Sequence, residues 1–236
     1  MNLYKLKQKI EKTLKKIPFI YRIGHSYRLR KEKRKDELLN RAFKEYGYVA
    51  LKDVQSTMEK TDIDFFAFSG TLLGIIRDKA LIAHDNDLDF AVIENEKFDW
   101  DIVVKAMERI NFQPSRSFLI GEEVYEMTFV RDGLGVDFFI GKKDQGERKT
   151  PYFYRTTLEE YSERWEHSVA FLYFPEVESI SKAEVHGISV NIPSNYKDIF
   201  YGNYGPNWKE PDENWNVWDA PKLIKDKDLK AIRINH

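Results

Sequence analysis

A short apolar segment, a glycine-containing turn and an acidic run stand close together and constrain this chain more than any other feature. Ile63 to Phe68 is aromatic and bounded by charged residues, which is typical of a buried strand. Ser69-Gly70-Thr71 then predicts a tight turn that opens a helix, with the serine as N-cap residue and the glycine admitting a ligand close to the backbone. Helix N-termini bind anions, and Arg77, about two turns further on, is expected to contact a phosphate.

Three aspartates follow at every second position, Asp85, Asp87 and Asp89. In a strand, this spacing puts the three carboxylates on one face and Leu88 and Phe90 on the other. Carboxylates this close repel each other, so they predict a bound divalent cation, Mg²⁺ or Mn²⁺. An anion-binding turn beside such a cation is what phosphoryl transfer requires. A solvated acidic turn is the alternative interpretation, but it leaves the preceding turn unexplained.

A fourth aspartate is expected to join this group through a β-hairpin. Val124 to Val130 alternates as a strand does, Asp132-Gly133 is a favourable turn pair, and Val136 to Ile140 is the expected returning strand. Asp137 lies between apolar residues of that strand, where an unpaired carboxylate is costly. We therefore interpret Asp137 as a site residue in preference to a surface residue.

These motifs resemble the signature of the LicD / fukutin-related phosphotransferases, a family of the nucleotidyltransferase superfamily typified by DNA polymerase beta. The resemblance rests on Ser-Gly-Thr-Leu-Leu-Gly at 69–74, on Arg77 and on the Asp-x-Asp-x-Asp run. A second block is similar to the family's C-terminal pattern and comprises His-Gly-Ile-Ser-Val-Asn-Ile-Pro at 186–193, Tyr196, Tyr201-Gly202 and Pro211. The resemblance covers residues 50–221 and implies an α+β fold: a nucleotidyltransferase-like core with a small mixed sheet flanked by helices.

The resemblance also implies an activity and roles for the site residues. It implies transfer of a phospho-alcohol, such as phosphocholine, phosphoribitol or phosphoglycerol, from a CDP-linked donor to a sugar hydroxyl of a cell-surface glycan or lipid-linked oligosaccharide. The implied catalytic and metal-binding residues are Asp87, Asp89 and Asp137, with Asp85 as a further candidate ligand. Asp137 is either a ligand or the base that takes the acceptor proton. The implied phosphate-binding residues are Ser69, Gly70, Thr71 and Arg77.

Other functions remain open at this point. A true nucleotidyltransferase uses the same carboxylates but attacks a nucleoside triphosphate and releases pyrophosphate. A non-catalytic membrane-associated adaptor is a further alternative. A nucleic-acid-binding protein is the third alternative and predicts salt-sensitive binding to any duplex. Nucleic acid is nevertheless not an expected partner, because the body of the chain is acidic and no base-reading motif is present.

The charge distribution separates a basic N-terminal arm from an acidic body. Residues 1–35 hold 13 Lys and Arg against two Glu, a charge of +11, whereas the remaining 25 basic and 37 acidic residues give −12. Apolar residues at helical spacing form one stripe of the arm: Leu3, Leu6, Ile10, Leu14 and Ile17. Such a helix is suited to an anionic membrane surface, or else its stripe packs on the catalytic domain.

We therefore predict three regions: the basic amphipathic arm at 1–35, a LicD-type catalytic domain at 36–221 that opens with a helix over 36–60, and a charged tail at 222–236, helical or disordered. The chain has no cysteine, which excludes disulfides and thiolate zinc sites. It shows no signal peptide and no apolar run of membrane-spanning length. The expected location is the cytoplasm, with peripheral attachment to the inner face of the cell membrane.

Overall fold

The computed structural model describes residues 18–156, 161–163, 165–212 and 214–236, and their side chains from residue 30 onwards except residue 32. The apolar stripe expected over residues 3–17 lies outside the described residues. The described part contains four α-helices: α1 (Pro18–Met58), α2 (Ser69–Leu73), α3 (Trp100–Glu108) and α4 (Tyr196–Tyr204). None of these helices is long and apolar enough to cross a membrane.

Ten strands make up most of the rest. They are β1 (Phe65–Ala67), β2 (Asp87–Ile93), β3 (Gln113–Ile120), β4 (Glu123–Arg131), β5 (Leu134–Asp144), β6 (Glu147–Tyr154), β7 (Glu166–Pro175), β8 (Ile180–Val185), β9 (Ile188–Pro193) and β10 (Leu223–Asn235). The hairpin predicted around Asp132-Gly133 is confirmed as β4–β5, and both turn residues have positive φ, 53° and 82°.

The strands form one large sheet in the order β1-β2-β5-β4-β3-β10-β7-β6. An additional pairing of β5 with β6 closes six of them into a barrel, which β1 and β2 extend beside β5. Neighbouring strands run antiparallel except β2 and β5, which are parallel. The mixed α+β class is confirmed. The small mixed sheet flanked by helices was not found; an eight-stranded sheet, six strands of which close into a barrel, stands in its place.

The C-terminal segment is a strand in the interior of the sheet, so the prediction of a helical or disordered tail at 222–236 was wrong. β10 pairs with β7 along one edge and with β3 along the other. A register shift between Asp226 and Lys230 accommodates a bulge, and Ala231 beyond it is fully buried. Backbone pairing on both edges holds this segment in place despite its many exposed charges.

The core lies between α1 and the sheet. Ala50, Leu51, Val54 and Met58 on one face of α1 are fully buried, as the helical pattern over 36–60 predicts. The helix is longer than expected, because it begins at Pro18 and continues through Gly24 and Gly47, where breaks or kinks were expected. A Cβ at Gly47 would lie 3.1 Å from Leu81 Cδ1, so this glycine permits close packing of the chain against α1.

The β8–β9 hairpin, which forms the block at 186–193, packs on this core as a separate two-stranded sheet. Asn191 attaches it to two other elements. Its backbone N–H donates to Gln55 Oε1 at 3.0 Å, and its side-chain amide donates to the Phe65 carbonyl at 3.1 Å. The hairpin therefore supports both α1 and the strand that leads into the candidate site.

Candidate functional site

The turn between β1 and α2 opens the site. Ser69 has a φ of 43° in the left-handed region, and the N-cap residue of α2 is Phe68, without a side-chain capping bond. The prediction of Ser69 as N-cap was therefore wrong. The helix lasts only five residues and passes into a π-helical turn over Gly74–Asp78. Ser69 and Gly70 both line a large cavity in front of the sheet.

Gly70 brings the turn into contact with the acidic run. A Cβ at this position would lie 2.7 Å from Asp85 Oδ2, which leaves no room for any other residue without a shift of the carboxylate. Helix α1 holds the loop that carries Asp85, because the side-chain amide of Asn40 donates to the carbonyls of Ala83 at 3.0 Å and Asp85 at 2.8 Å. Asp85 is thus held against the turn, just ahead of β2.

Thr71 joins the turn to β2. Its hydroxyl accepts a hydrogen bond from the Asp89 backbone N–H at 2.9 Å, and the Phe68 N–H donates to the Asp89 carbonyl at the same distance. Thr71 is 1% exposed and is not among the residues that line the cavity. In this structure it positions Asp89, whereas a direct contact with phosphate was predicted.

Strand pairing aligns the acidic residues in a row across the sheet. Asp89 on β2 lies beside Asp137 on β5, Asp137 lies opposite Thr128 on β4, and Thr128 lies opposite Arg116 on β3. Asp87 precedes Asp89 by two residues and therefore shares its face. Leu88 and Phe90, which alternate with these aspartates along β2, are fully buried, as the alternation predicts.

Arg116 is a site residue that the sequence did not reveal. Its Nη2 donates to Asp137 Oδ2 at 3.1 Å and lies 3.7 Å from Glu126 Oε1, while its Nε donates to Thr128 Oγ1 at 2.7 Å. The only available signal was an arginine in a stretch of mixed polarity containing Pro114. That pattern does not predict a strand, and only the register shows that Arg116 reaches Asp137.

Burial and mutual repulsion raise the pKa values of the acidic residues. Burial raises the pKa of Asp85 to about 6, against the opposing charges of His84 and Arg77. Burial, followed by the charges of Asp137 and Asp85, raises the pKa of Asp87 to about 7. Burial, followed by the charges of Asp87 and Asp137, raises the pKa of Asp89 well above its ordinary value. This part of the protein is therefore poised to bind cations or protons.

Asp137 and Glu126 continue the acidic surface. Burial raises the pKa of Asp137, while Arg116 and the hydrogen bond with Thr128 lower it. Burial and the nearby Asp137 raise the pKa of Glu126 well above its usual range. Asp137 Oδ1 is buried and has no hydrogen-bond partner in the described structure, so one oxygen of this carboxylate remains available to a ligand.

The cavity has a volume of about 900 Å³, and its walls differ in character. The carboxylates and Arg116 occupy one wall. Aromatic side chains contribute to the remainder: Phe118, Tyr152, Phe153, Tyr204, Trp208 and Trp215. Thr150 Oγ1 and Asn203 Oδ1, also on residues lining the cavity, are buried without a partner in the described part of the chain. A cavity of this size has room for a substrate larger than a phosphate.

Arg77 lines the cavity as expected, but its guanidinium is occupied. Its Nε donates to Asp78 Oδ1 at 2.7 Å and its Nη2 donates to Asp78 Oδ2 at 2.8 Å. This bidentate pair with the adjacent residue uses one edge of the planar fork. To bind phosphate with that edge, Arg77 must first release Asp78.

The carboxylate oxygens of the site are suitable ligands for a hard divalent cation, but they do not converge on one point. Among the described residues, no three Asp, Glu, His or Cys side chains are placed to hold one ion together. Mg²⁺ in phosphate-handling sites is commonly held by one or two carboxylates together with substrate phosphates. The partnerless Asp137 Oδ1 beside Asp89 meets that smaller requirement.

Comparison with known proteins gives a family match that spans most residues of the candidate site. A family model described as LicD/FKTN/FKRP, nucleotidyltransferase domain, matches residues 62–195. The chain belongs to this family. The match runs from the approach to β1 to just beyond β9, so the LicD-matched region contains the turn, all the carboxylates described above and Arg116. It leaves out α4 and β10.

Individual relatives of this LicD-family chain are distant. The ribitol-5-phosphate transferase FKTN of Homo sapiens is 24% identical over 196 residues, which are 81% of this chain and 39% of that protein. An uncharacterized protein of Rickettsia prowazekii is 25% identical over 151 residues, which are 63% of this chain and 50% of that protein. The LicD-family chain thus spans about half or less of the length of these relatives.

Proposed function

We propose that this LicD-family chain transfers a phospho-alcohol from a CDP-linked donor to a sugar hydroxyl of a glycan, with a divalent cation. One observation carries the proposal. Asp87 and Asp89 on β2 and Asp137 on the parallel neighbour β5 share one face of the sheet at the wall of the cavity. The family membership and the ribitol-5-phosphate transferase among the relatives support the choice of a phospho-alcohol.

Asp87 and Asp89 are the proposed holders of Mg²⁺ or Mn²⁺, with Asp85 and Asp137 within the same acidic surface. The cation would neutralise charge on the donor diphosphate and on the leaving CMP. The raised pKa values of Asp85 and Asp87 support this assignment, because burial is the main cause of both shifts and a bound cation would compensate the buried negative charge. The hydrogen bond from Asp89 N–H to Thr71 Oγ1 keeps this carboxylate at a fixed position relative to the turn.

Asp137 has two roles open to it, because its two oxygens differ. Oδ2 accepts the hydrogen bond from Arg116, whereas Oδ1 has no partner in the described structure. Oδ1 either completes the cation site or takes the proton of the acceptor hydroxyl. In the second case the acceptor oxygen forms a bond to the distal phosphorus, the bond from phosphorus to CMP breaks, and the proton moves to Asp137.

Oxygens of the donor are proposed to contact the turn at Ser69 and Gly70 and the side chain of Arg77. Both turn residues and Arg77 line the cavity. Asp85, which lies against Gly70, makes this region negative in the absence of a cation. We therefore expect donor and divalent cation to bind together, each weakening without the other.

A turnover screen tests the proposal. The purified chain is incubated with Mg²⁺, a soluble glycan acceptor and a panel of CDP-alcohols, and CMP release is followed. Asp89→Asn should remove CMP release, whereas Asp62→Asn, the same change on an exposed residue outside the cavity, should preserve it. Pyrophosphate release from nucleoside triphosphates instead would identify a nucleotidyltransferase. No turnover and no divalent-cation binding would favour the non-catalytic adaptor.

A further inference from the structure

We infer that Arg116 is the main phosphate-binding arginine of the cavity, an inference that rests on the proposed function. The residue lies on β3, at the end of the row that begins with Asp89 and Asp137. Its side chain is 32% exposed, and it lines the cavity. The guanidinium therefore borders both the carboxylate of Asp137 and the space where a donor would bind.

The hydrogen bonds of Arg116 leave part of its fork free. Nε donates to Thr128 and Nη2 donates to Asp137, which fixes the guanidinium plane. Nη1 makes no hydrogen bond to any residue that the structure describes. An arginine oriented in this way is pre-organised for an anion, because it loses little side-chain freedom on binding.

The other arginines that line the cavity are less suitable. The Nε–Nη2 edge of Arg77 is closed by the bidentate pair with Asp78. Arg233 lies on β10, one strand further from Asp137 than Arg116. Arg116 therefore combines proximity to the carboxylates with a free donor.

A shared guanidinium also solves an electrostatic problem. A donor phosphate close to Asp137 meets a buried negative charge, and two such anions repel strongly. Arg116 between them offers Nη2 to the carboxylate and Nη1 to the phosphate. In this arrangement the donor gains affinity, and Asp137 keeps its orientation while Oδ1 stays available.

Binding of inorganic pyrophosphate, measured by titration calorimetry with Mg²⁺ present, tests this inference on the full chain. Arg116→Lys keeps the charge but loses the fork and should weaken binding by about tenfold, and Arg116→Gln by more. Arg109→Gln makes the same charge change on an exposed residue outside the cavity and should leave affinity within about twofold of the wild type. Thermal unfolding of each variant checks that it is folded.

A double-mutant cycle separates phosphate binding from mere neutralisation of Asp137. In the Asp137→Asn background, Arg116→Gln should still weaken pyrophosphate binding by about tenfold, because the lost contact is with phosphate. If it has no effect in this background, Arg116 serves only Asp137 and the inference is overturned. If the wild type binds pyrophosphate and all Arg116 variants match it, the inference fails while the proposed function stands. A wild type that binds no pyrophosphate overturns the inference, whereas the proposed function is decided by CMP release in the turnover screen.

Discussion

Asp87 and Asp89 place two carboxylates on one face of β2. Replacing either one should lower activity but should not lower the stability of the metal-free protein. Asp87→Asn or Asp89→Asn should lower turnover by at least about a hundredfold, because the cation loses a ligand. In metal-free buffer, the melting temperature of either variant should hold or rise, since one source of repulsion is gone. Coupled CMP assays and thermal unfolding with EDTA measure the two effects.

Asp62→Asn is the matched control for both measurements, because Asp62 is an exposed acid outside the cavity. Turnover within a few fold of wild type in either site variant would remove that aspartate from the proposed cation site. A fall in melting temperature without metal would show instead that the carboxylate stabilises the fold.

The two roles proposed for Asp137 differ in their response to metal. Asp137→Ala should be inactive in either case. If Asp137 is mainly a ligand, high concentrations of Mg²⁺ or Mn²⁺ should restore part of the activity by mass action. If it is the base, added metal should restore nothing, and turnover should stay flat across the metal titration. Full activity of Asp137→Ala without added metal would exclude both roles.

At this scale the sequence predicts the residues whose signal is local. Period-two spacing predicts Asp87 and Asp89 as site residues, and an acidic residue within an apolar strand predicts Asp137; all three line the cavity. Arg116 carries no such signal, because its relation to Asp137 comes from the pairing of β3, β4 and β5. Likewise, the sequence does not show that the guanidinium of Arg77 forms a bidentate pair with Asp78.

At the scale of elements, one side chain couples α2 to β2. Thr71→Val keeps the shape but removes the acceptor of the buried Asp89 N–H, which should lower the free energy of unfolding by about 1–3 kcal/mol. Thr71→Ser keeps the acceptor and should cost less. Urea unfolding of the two variants tests this order, and equal losses would show that packing of the methyl group, and not the hydrogen bond, is what matters.

The strand that the sequence missed, β10, was missed for a physical reason. β10 shows Lys and Asp in quick succession, and the bulge between Asp226 and Lys230 breaks its alternation. Most of its side chains are exposed, so backbone pairing with β3 and β7 determines its structure. Hydrophobic periodicity reports burial of side chains, and it cannot detect a strand that is held chiefly by its backbone. The part of helix α1 from residue 36 onwards and the β4–β5 hairpin bury clear apolar patterns and were predicted.

At the scale of the whole molecule, the acidic wall should set the response to pH. The pKa of Asp85 is raised to about 6 and that of Asp87 to about 7, against about 3.9 in an unfolded chain. Between pH 4 and pH 7 the folded state therefore binds more protons than the unfolded state, so its stability falls as the pH rises.

We expect the metal-free protein to be more stable at pH 5 than at pH 8 by roughly 1–3 kcal/mol in urea unfolding with EDTA. Asp87→Asn should reduce this difference, because one titrating group is removed, and Asp62→Asn should not. Equal stability at the two pH values would show that the carboxylates are not destabilising when ionised.

The basic arm remains a prediction, and its first 17 residues lie outside the described structure. The full chain should co-sediment with anionic vesicles at low salt and release as salt rises. Deletion of residues 1–35 should abolish sedimentation and preserve the fold, because the described side chains at 30, 31 and 33–35 are all exposed. An unfolded truncated protein would indicate that the arm packs on the core. If the full chain does not co-sediment with anionic vesicles at low salt, a protein partner becomes the better explanation for the charge of the arm.

The position of β10 has a consequence for how the chain is made. β3 and β7 are synthesised well before the strand that joins them, and until Leu223–Asn235 leaves the ribosome both present unpaired edges. Long-range pairing of this kind slows folding, and open edges invite association with other chains. We expect nascent chains arrested before β10 to depend on chaperones, with barrel closure as a late event in folding.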